Sequence, residues 1–100
     1  MIPRRAAKRD ISEPEIISTL EQCGFSVERT SQPGWPDLLV SFRRRCWLIE
    51  CKSSNKGYGK TLNENQQKFA DRWRGPDIII LRSSQDAIDW AVQVAVETAP

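Results

Sequence analysis

Pro36-Asp37-Leu38-Leu39-Val40-Ser41-Phe42-Arg43-Arg44-Arg45-Cys46-Trp47-Leu48-Ile49-Glu50-Cys51-Lys52 is the stretch whose reading settles the fold of this chain. Two strand-sized apolar runs flank three arginines, and a connection that short joins neighbouring strands as a hairpin. Pro36 restricts the backbone at the entrance to the first run, a position where strands tolerate proline. Side chains alternate faces along a strand. Glu50 and Lys52 therefore point one way, and Trp47, Ile49 and Cys51 point the other, into apolar packing. Antiparallel pairing through the arginines brings Asp37 opposite the end of the second run, beside Glu50 and Lys52. Opposite charges on one face of an inner strand are costly to desolvate unless they have partners. Two carboxylates and an ammonium group are thus expected to converge at one end of a sheet.

Working outward, residues 12–24 read as a helix. Ser12 is placed to cap it, Pro14 lies in its first turn, and Glu15 stands where a capping-box acid would. Ile16, Ile17, Leu20 and Cys23 form its apolar stripe, and Gly24 ends it. Residues 25–30 alternate as a strand. Ser31-Gln32-Pro33-Gly34-Trp35-Pro36 is a turn-rich loop. Beyond the hairpin, residues 53–61 form a basic, glycine-containing loop. Asn63 caps a second helix with Gln66 in the capping-box position, and Leu62, Gln66, Phe69 and Trp73 share one of its faces. Gly75-Pro76 breaks that helix. Residues 77–81 form a near-continuous apolar strand, expected to be covered on both sides. Ser83 or Ser84 opens a last helix carrying Ile88, Ala91, Val92 and Ala95. The order αβββαβα makes the class α/β (α+β): a mixed sheet, built from a hairpin and a helical crossover, flanked by helices.

The 100 residues suit one domain, here residues 12–97 behind a basic arm at 1–11. A hydrophobic content of 39% is enough for one core, which argues against wholesale disorder. No apolar run approaches the roughly 18 residues a membrane span needs. The basic N-terminus has no apolar segment behind it, which argues against a secretory signal and for an intracellular, cytoplasmic protein. Three cysteines without Cys-x-x-Cys spacing make a disulfide framework or a zinc site a poor reading. Cys23, Cys46 and Cys51 read as small apolar fillers.

The chain has no histidine. That removes histidine triads, zinc metalloprotease motifs and histidine general bases. Any hydrolysis must rest on carboxylates, lysine and a hard metal ion. Net charge is only +2, but residues 42–75 carry nine Lys/Arg against three acids, and residues 1–11 carry four against one. A basic middle and tail on a near-neutral chain point to an anionic partner on one face. Asp37 and Glu50 suit Mg²⁺, a hard ion that takes oxygen ligands, and the Cys51 carbonyl supplies a further oxygen. Such an ion acidifies a bound water and offsets charge on a phosphate. Lys52 is a compact cation able to orient that water.

At these residues the chain resembles a known family. Pro36-Asp37 followed by Glu50-Cys51-Lys52 looks like the PD-(D/E)XK nuclease superfamily. The fuller strings Gly34-Trp35-Pro36-Asp37-Leu38-Leu39-Val40, Trp47-Leu48-Ile49-Glu50-Cys51-Lys52 and Leu62-Asn63-Glu64-Asn65-Gln66 resemble its VRR-NUC branch. The likeness covers roughly residues 11–95. The segment from Glu13 to Val27 is also similar to archaeal Holliday-junction resolvases. Membership implies a restriction-endonuclease-like αβββαβ core with a four-stranded mixed sheet, here extended by a C-terminal helix. It also implies a Mg²⁺- or Mn²⁺-dependent DNA nuclease. Short stand-alone members, often phage-borne, are similar to dimeric junction-cleaving enzymes. The family's metal carboxylates fall on Asp37 and Glu50, its lysine on Lys52, and the glutamine of its following helix on Gln66. A fourth acid from the first helix falls on Glu13 or Glu15. Glu13 lies inside the Ile16–Ile17–Leu20 stripe at about 100° per residue and is the preferred one; Glu15 lies outside it and has a capping job.

The resemblance implies branched DNA as substrate, no organic cofactor and a homodimer. Lys56, Tyr58 and Lys60, beside the site, suit phosphate contact and base stacking. Arg43, Arg44 and Arg45 suit a DNA backbone, although the hairpin turn lies at the sheet end away from Asp37. Arg4, Arg5, Lys8 and Arg9 suit non-specific phosphate binding. Trp35 either wedges DNA or packs, and Trp47, Trp73 and Trp90 read as core or subunit interface.

Overall fold

The computed structural model describes residues 12–52 and 63–100. Its elements are α1 (Glu13–Gln22), β1 (Ser26–Arg29), β2 (Leu38–Phe42), β3 (Arg45–Cys51), α2 (Glu64–Arg72), β4 (Ile79–Leu81) and α3 (Ser84–Glu97). The four strands make one sheet in the order β1-β2-β3-β4. β1–β2 and β2–β3 are antiparallel, and β3–β4 is parallel. The chain is thus a mixed α/β fold of the expected αβββαβ order with an added C-terminal helix. Residues 1–11 and 53–62 lie outside the described residues, and with them Arg4, Arg5, Lys8, Arg9, Lys56, Tyr58, Lys60 and Leu62. Among the described residues no helix is long and apolar enough to cross a membrane.

The expected hairpin forms, with Leu38 opposite Ile49 and Phe42 opposite Arg45, one residue off the pairing that a three-residue Arg43–Arg45 connection would give. Its turn is tighter than three arginines suggest. Arg43 (φ 52°) and Arg44 (φ 68°) alone make it, in the left-handed conformation a two-residue hairpin loop needs at both positions. Arg45 belongs to β3. Neither turn residue is glycine, so each carries strain of about 1 kcal/mol. Arg43 offsets part of this by donating from Nη1 to the Ala95 carbonyl (2.8 Å) and to Thr98 Oγ1 (3.1 Å). It thereby satisfies a carbonyl that the last turn of α3 leaves without a helical donor. Arg43 is therefore a helix-end clamp, a role that spacing along the chain cannot reveal.

One face of the sheet carries the main core. Ile16 and Leu20 of α1, Leu38, Val40, Ile49, Cys51 and Leu81 of the strands, and Ala87, Trp90, Ala91 and Val94 of α3 are all buried in it. Phe25 stacks on Phe42 (centroids 4.7 Å) and meets Trp90 (5.2 Å), while Trp47 meets Trp90 edge-on (5.4 Å). α1 ends as its sequence requires. Gly24 (φ 97°) follows the helix, Phe25 N donates to Leu20 O and Gly24 N to Glu21 O, the paired bonds of a Schellman motif.

Four expectations are corrected. Ser12 has a helical backbone (φ −80°, ψ −14°) and makes no side-chain cap bond, so the capping box with Glu15 does not form. Cys23 and Cys46 are exposed and only Cys51 fills core. The strand expected at 77–81 is confined to Ile79–Leu81, and only Leu81 of the three is buried. In α3 the buried face is Ala87, Trp90, Ala91 and Val94, while Ile88 and Val92 are exposed. α3 is apolar on two sides. The side bearing alanines turns inward, where α1 packs close against it.

Candidate functional site

The site lies where β2 begins and β3 ends. One step beyond the Leu38–Ile49 pair, Asp37 stands opposite Glu50 on the sheet face turned away from the main core. Directly opposed residues of an antiparallel pair lie about 5 Å apart at Cβ. Asp37 is fixed on both sides. Its carbonyl accepts from Thr30 N (3.0 Å), continuing the β1–β2 ladder, and its Oδ2 accepts from Cys51 N (2.8 Å). Lys52 N donates to Leu81 O (3.1 Å), so β4 extends the ladder under the site.

Glu50 is only 3% exposed on this inner strand. Its Oε2 accepts from Gln66 Nε2 (2.6 Å) and faces Lys52 Nζ at 3.3 Å. Lys52 Nζ in turn donates to Gln66 Oε1 (3.0 Å). The same Gln66 oxygen accepts from Asn63 N (2.9 Å), and Gln66 N donates to Asn63 Oδ1 (2.9 Å). The two roles read for Gln66, capping partner and site brace, are both carried by one amide. α2 is thus locked to the site through its own N-terminus.

Glu50 Oε1 is buried and has no hydrogen-bond partner among the described residues. A buried acceptor left unsatisfied costs about 1–3 kcal/mol. Burial pushes the Glu50 carboxyl up from its usual 4.5 to about 7, and the negative charge of Asp37 adds to the rise. Lys52 and Gln66 oppose it without cancelling it. A carboxylate so placed gains from any cation that reaches Oε1. The donor set of Glu50, Asp37 and the neighbouring main chain is all hard oxygen, which fits Mg²⁺ or Mn²⁺.

Glu13 is placed differently. It is buried at the start of α1, and its Oε2 accepts from Arg29 Nε at 2.8 Å. It shares a cleft of about 230 Å³ with Arg29, Trp35 and Asp37. Among the described residues no three Cys, Asp or Glu side chains form a group able to hold a metal ion. Asp37, Glu50, Lys52 and Gln66 are thus brought together, and Glu13 is engaged by Arg29 at the edge of the set. Glu15 is exposed on the outer side of α1.

No family model, curated protein or solved structure matches the chain.

Arg44 and Arg45 are exposed at the opposite end of the hairpin from Asp37. Three cations escaped the sequence reading. Arg29 lines the Glu13–Asp37 cleft, and Lys68 and Arg72 line a second cleft with Pro33, Gly34 and Asn65. The charge count over residues 42–75 included Lys68 and Arg72, but nothing in their spacing tied them to the loop before β2. Arg29 gave a weak signal as the last residue of a strand that ends beside Asp37.

Proposed function

We propose that this chain is a Mg²⁺- or Mn²⁺-dependent DNA endonuclease of the PD-(D/E)XK superfamily, VRR-NUC branch, and that it acts on branched DNA. The observation that carries the reading is Glu50 Oε1: a buried carboxylate oxygen without a partner among the described residues, on an inner strand, beside Asp37 and Lys52. A purely structural ion pair gains nothing from leaving that oxygen bare. The αβββαβ order and the placing of Asp37, Glu50 and Lys52 at one sheet end support the same reading.

Asp37, Glu50 and the Cys51 carbonyl would hold the metal, with Glu13 contributing once Arg29 lets go of it. A bound divalent ion supplies Lewis acidity at the phosphate and lowers the pKa of a water. The chain's own groups do the rest. The Lys52 ammonium orients the attacking water and offsets negative charge growing on the phosphate oxygens. Gln66 holds Glu50 and Lys52 in register. Water loses a proton as it attacks phosphorus in line, the bond from phosphorus to the 3′ oxygen breaks, and that oxygen leaves and takes up a proton, giving a 5′ phosphate and a 3′ hydroxyl. The protein works in the cytoplasm, without an organic cofactor. It acts as a homodimer, because a two-fold pair of sites suits two cuts in one junction. Ile88, Val92 and Val96 form an exposed apolar ridge on α3 that supports such an assembly. Lys56, Tyr58, Lys60, Arg4 and Arg5 contact DNA, and Arg44 and Arg45 hold backbone at the far end of the hairpin.

The test is cleavage of labelled four-way junction, flap, linear duplex and single strand in Mg²⁺ or Mn²⁺ against EDTA. Metal-dependent cutting of junctions, lost in Asp37→Ala and Glu50→Ala, is the expected result. Equal cutting of linear duplex makes the protein a general or restriction-like nuclease instead. The Glu13–Arg29 ion pair favours a second reading, a DNA-binding subunit that is catalytically silent or needs a partner protein. Binding of DNA without nicking in Mn²⁺ selects it.

A further inference from the structure

The loop at residues 31–36 stands between two clefts of similar size and opposite character. The first, about 230 Å³, is lined by Glu13, Asp37, Arg29 and Trp35, with polar Thr30, Ser31 and Gln32 beside them. The second, about 210 Å³, is lined by Pro33, Gly34, Asn65, Lys68 and Arg72. The first therefore holds two carboxylates against one guanidinium, and the second holds two cations and no acid.

Trp35 belongs to the ridge between them. It is 41% exposed, although burying an indole is among the larger apolar gains a small domain can make. It is nonetheless held in place. Its ring packs on Phe69 (centroids 4.9 Å), Phe69 stacks on Trp73 (5.6 Å), and the Arg72 guanidinium lies 5.0 Å over Phe69. The loop is pinned by Thr30 Oγ1 donating to Pro36 O (2.6 Å) and by Trp35 N donating to Gln32 O (3.1 Å). Ser31 sits at φ 54°, a strained left-handed conformation for a residue with a Cβ. The chain thus spends strain and apolar burial to keep an indole partly exposed, in the cleft that it shares with Asp37.

We propose that an unpaired DNA nucleotide crosses this ridge, its base stacked on Trp35 in the first cleft and its neighbouring phosphate held by Lys68 and Arg72 in the second. The assignment of the two clefts follows from charge. A phosphate is repelled by Glu13 and Asp37 and attracted by Lys68 and Arg72. A base is uncharged, stacks on aromatic faces whatever its sequence, and offers ring N–H or amino donors that carboxylates and glutamine accept. The first cleft is smaller than the 300 Å³ or more typical of ligand pockets, which suits a single ring system. This inference deepens the nuclease reading and rests on it for one point only, that Asp37 is next to the bond cut. It makes the preferred substrate one with an unpaired base at the cut, such as a flap, a bubble or a junction with an extruded base.

Binding measured in EDTA, where nothing is cut, tests the ridge separately from catalysis. The probes are a short labelled oligothymidylate and a fully paired duplex, read by anisotropy and by quenching of tryptophan emission. Trp35→Leu is expected to weaken oligothymidylate binding about tenfold and duplex binding less than twofold. Trp35→Phe keeps the stack, so its affinity stays within about threefold while the Trp35 share of the quenching disappears. Lys68→Gln and Arg72→Gln should each flatten the salt dependence by about 0.7, the share of one phosphate contact on a single strand. Circular dichroism and melting of each variant confirm that it is folded. If Trp35→Leu binds oligothymidylate as wild type does, or weakens both probes equally, the subsite is overturned even where cleavage is found. If the protein never cuts but Trp35→Leu behaves as expected, the subsite stands and the nuclease reading falls.

Discussion

Replacing Glu50 by glutamine is expected to make the metal-free protein more stable above neutral pH. Glu50 ionises near 7 in the folded chain and near 4.5 when unfolded. Between these values the folded protein keeps a proton that the unfolded chain has released. Stability therefore falls as pH rises through that window, and the whole loss is in place by about pH 8. The gap corresponds to about 3 kcal/mol at about 1.4 kcal/mol per pH unit. Glutamine has no proton to lose, fills nearly the same volume, and still offers an oxygen to Gln66. The assay is urea unfolding of wild type and Glu50→Gln in EDTA at intervals from pH 4.5 to 8.5. The difference between the curves removes every other titrating group. It should grow with pH toward about 3 kcal/mol in favour of the variant, a rise in Tm on the order of 10 °C. Adding Mg²⁺ at pH 8 should restore the wild type and leave Glu50→Gln unchanged, because only the carboxylate gains from the ion. Curves that run parallel from pH 5 to 8 would refute the claim that this carboxylate is held ionised at a cost to folding.

Asp37→Asn keeps an acceptor for Cys51 N but removes the charge that helps raise Glu50. Its stability should fall at a lower pH than wild type, and metal-dependent nicking should be lost while gel-shift binding of DNA persists. Lys52→Met removes a group that lowers the Glu50 pKa, so the pH at which stability falls should move up. Single-turnover rates should drop much more than Mg²⁺ affinity, and equal losses would contradict its role at the water. Gln66→Leu deletes a cap bond and the bridge between Glu50 and Lys52. A destabilisation of about 2 kcal/mol by urea unfolding and a loss of cleavage should appear together. Arg43→Ala should cost about 1 kcal/mol by freeing the end of α3, with junction cleavage at the wild-type rate; a large fall in DNA affinity would return Arg43 to the DNA contacts.

The register depended on Arg45 joining β3, which only the structure shows; the hairpin itself was legible because strand alternation, a short connection and Pro36 admit few alternatives. The same holds for Gln66, since Asn63 and a glutamine three residues on make a local motif that needs no tertiary context. Ser12 was misread for a related reason. Its composition suits a cap, but a cap needs extended backbone, and Ser12 is helical. The inward face of α3 was not legible. Ile88, Val92 and Val96 repeat at helical spacing as well as Ala87, Ala91 and Val94 do. Hydrophobicity alone prefers the bulkier set, whereas close approach of α1 selects the smaller one. Glu13 was rightly placed on the inward side of α1, yet its partner Arg29 lies 16 positions away on β1, beyond any local rule.

What the linear chain determined by itself is the class of fold and the meeting of Asp37, Glu50 and Lys52. Both follow from two-residue alternation and a short connection between neighbouring strands. Tertiary structure decided the chemistry of that meeting. Burial of Glu50 on an inner strand, Asp37 across the ladder, Lys52 beside it and Gln66 arriving from α2 together set its charge state. Desolvation is a property of everything packed around a group, and no window of neighbouring residues contains it.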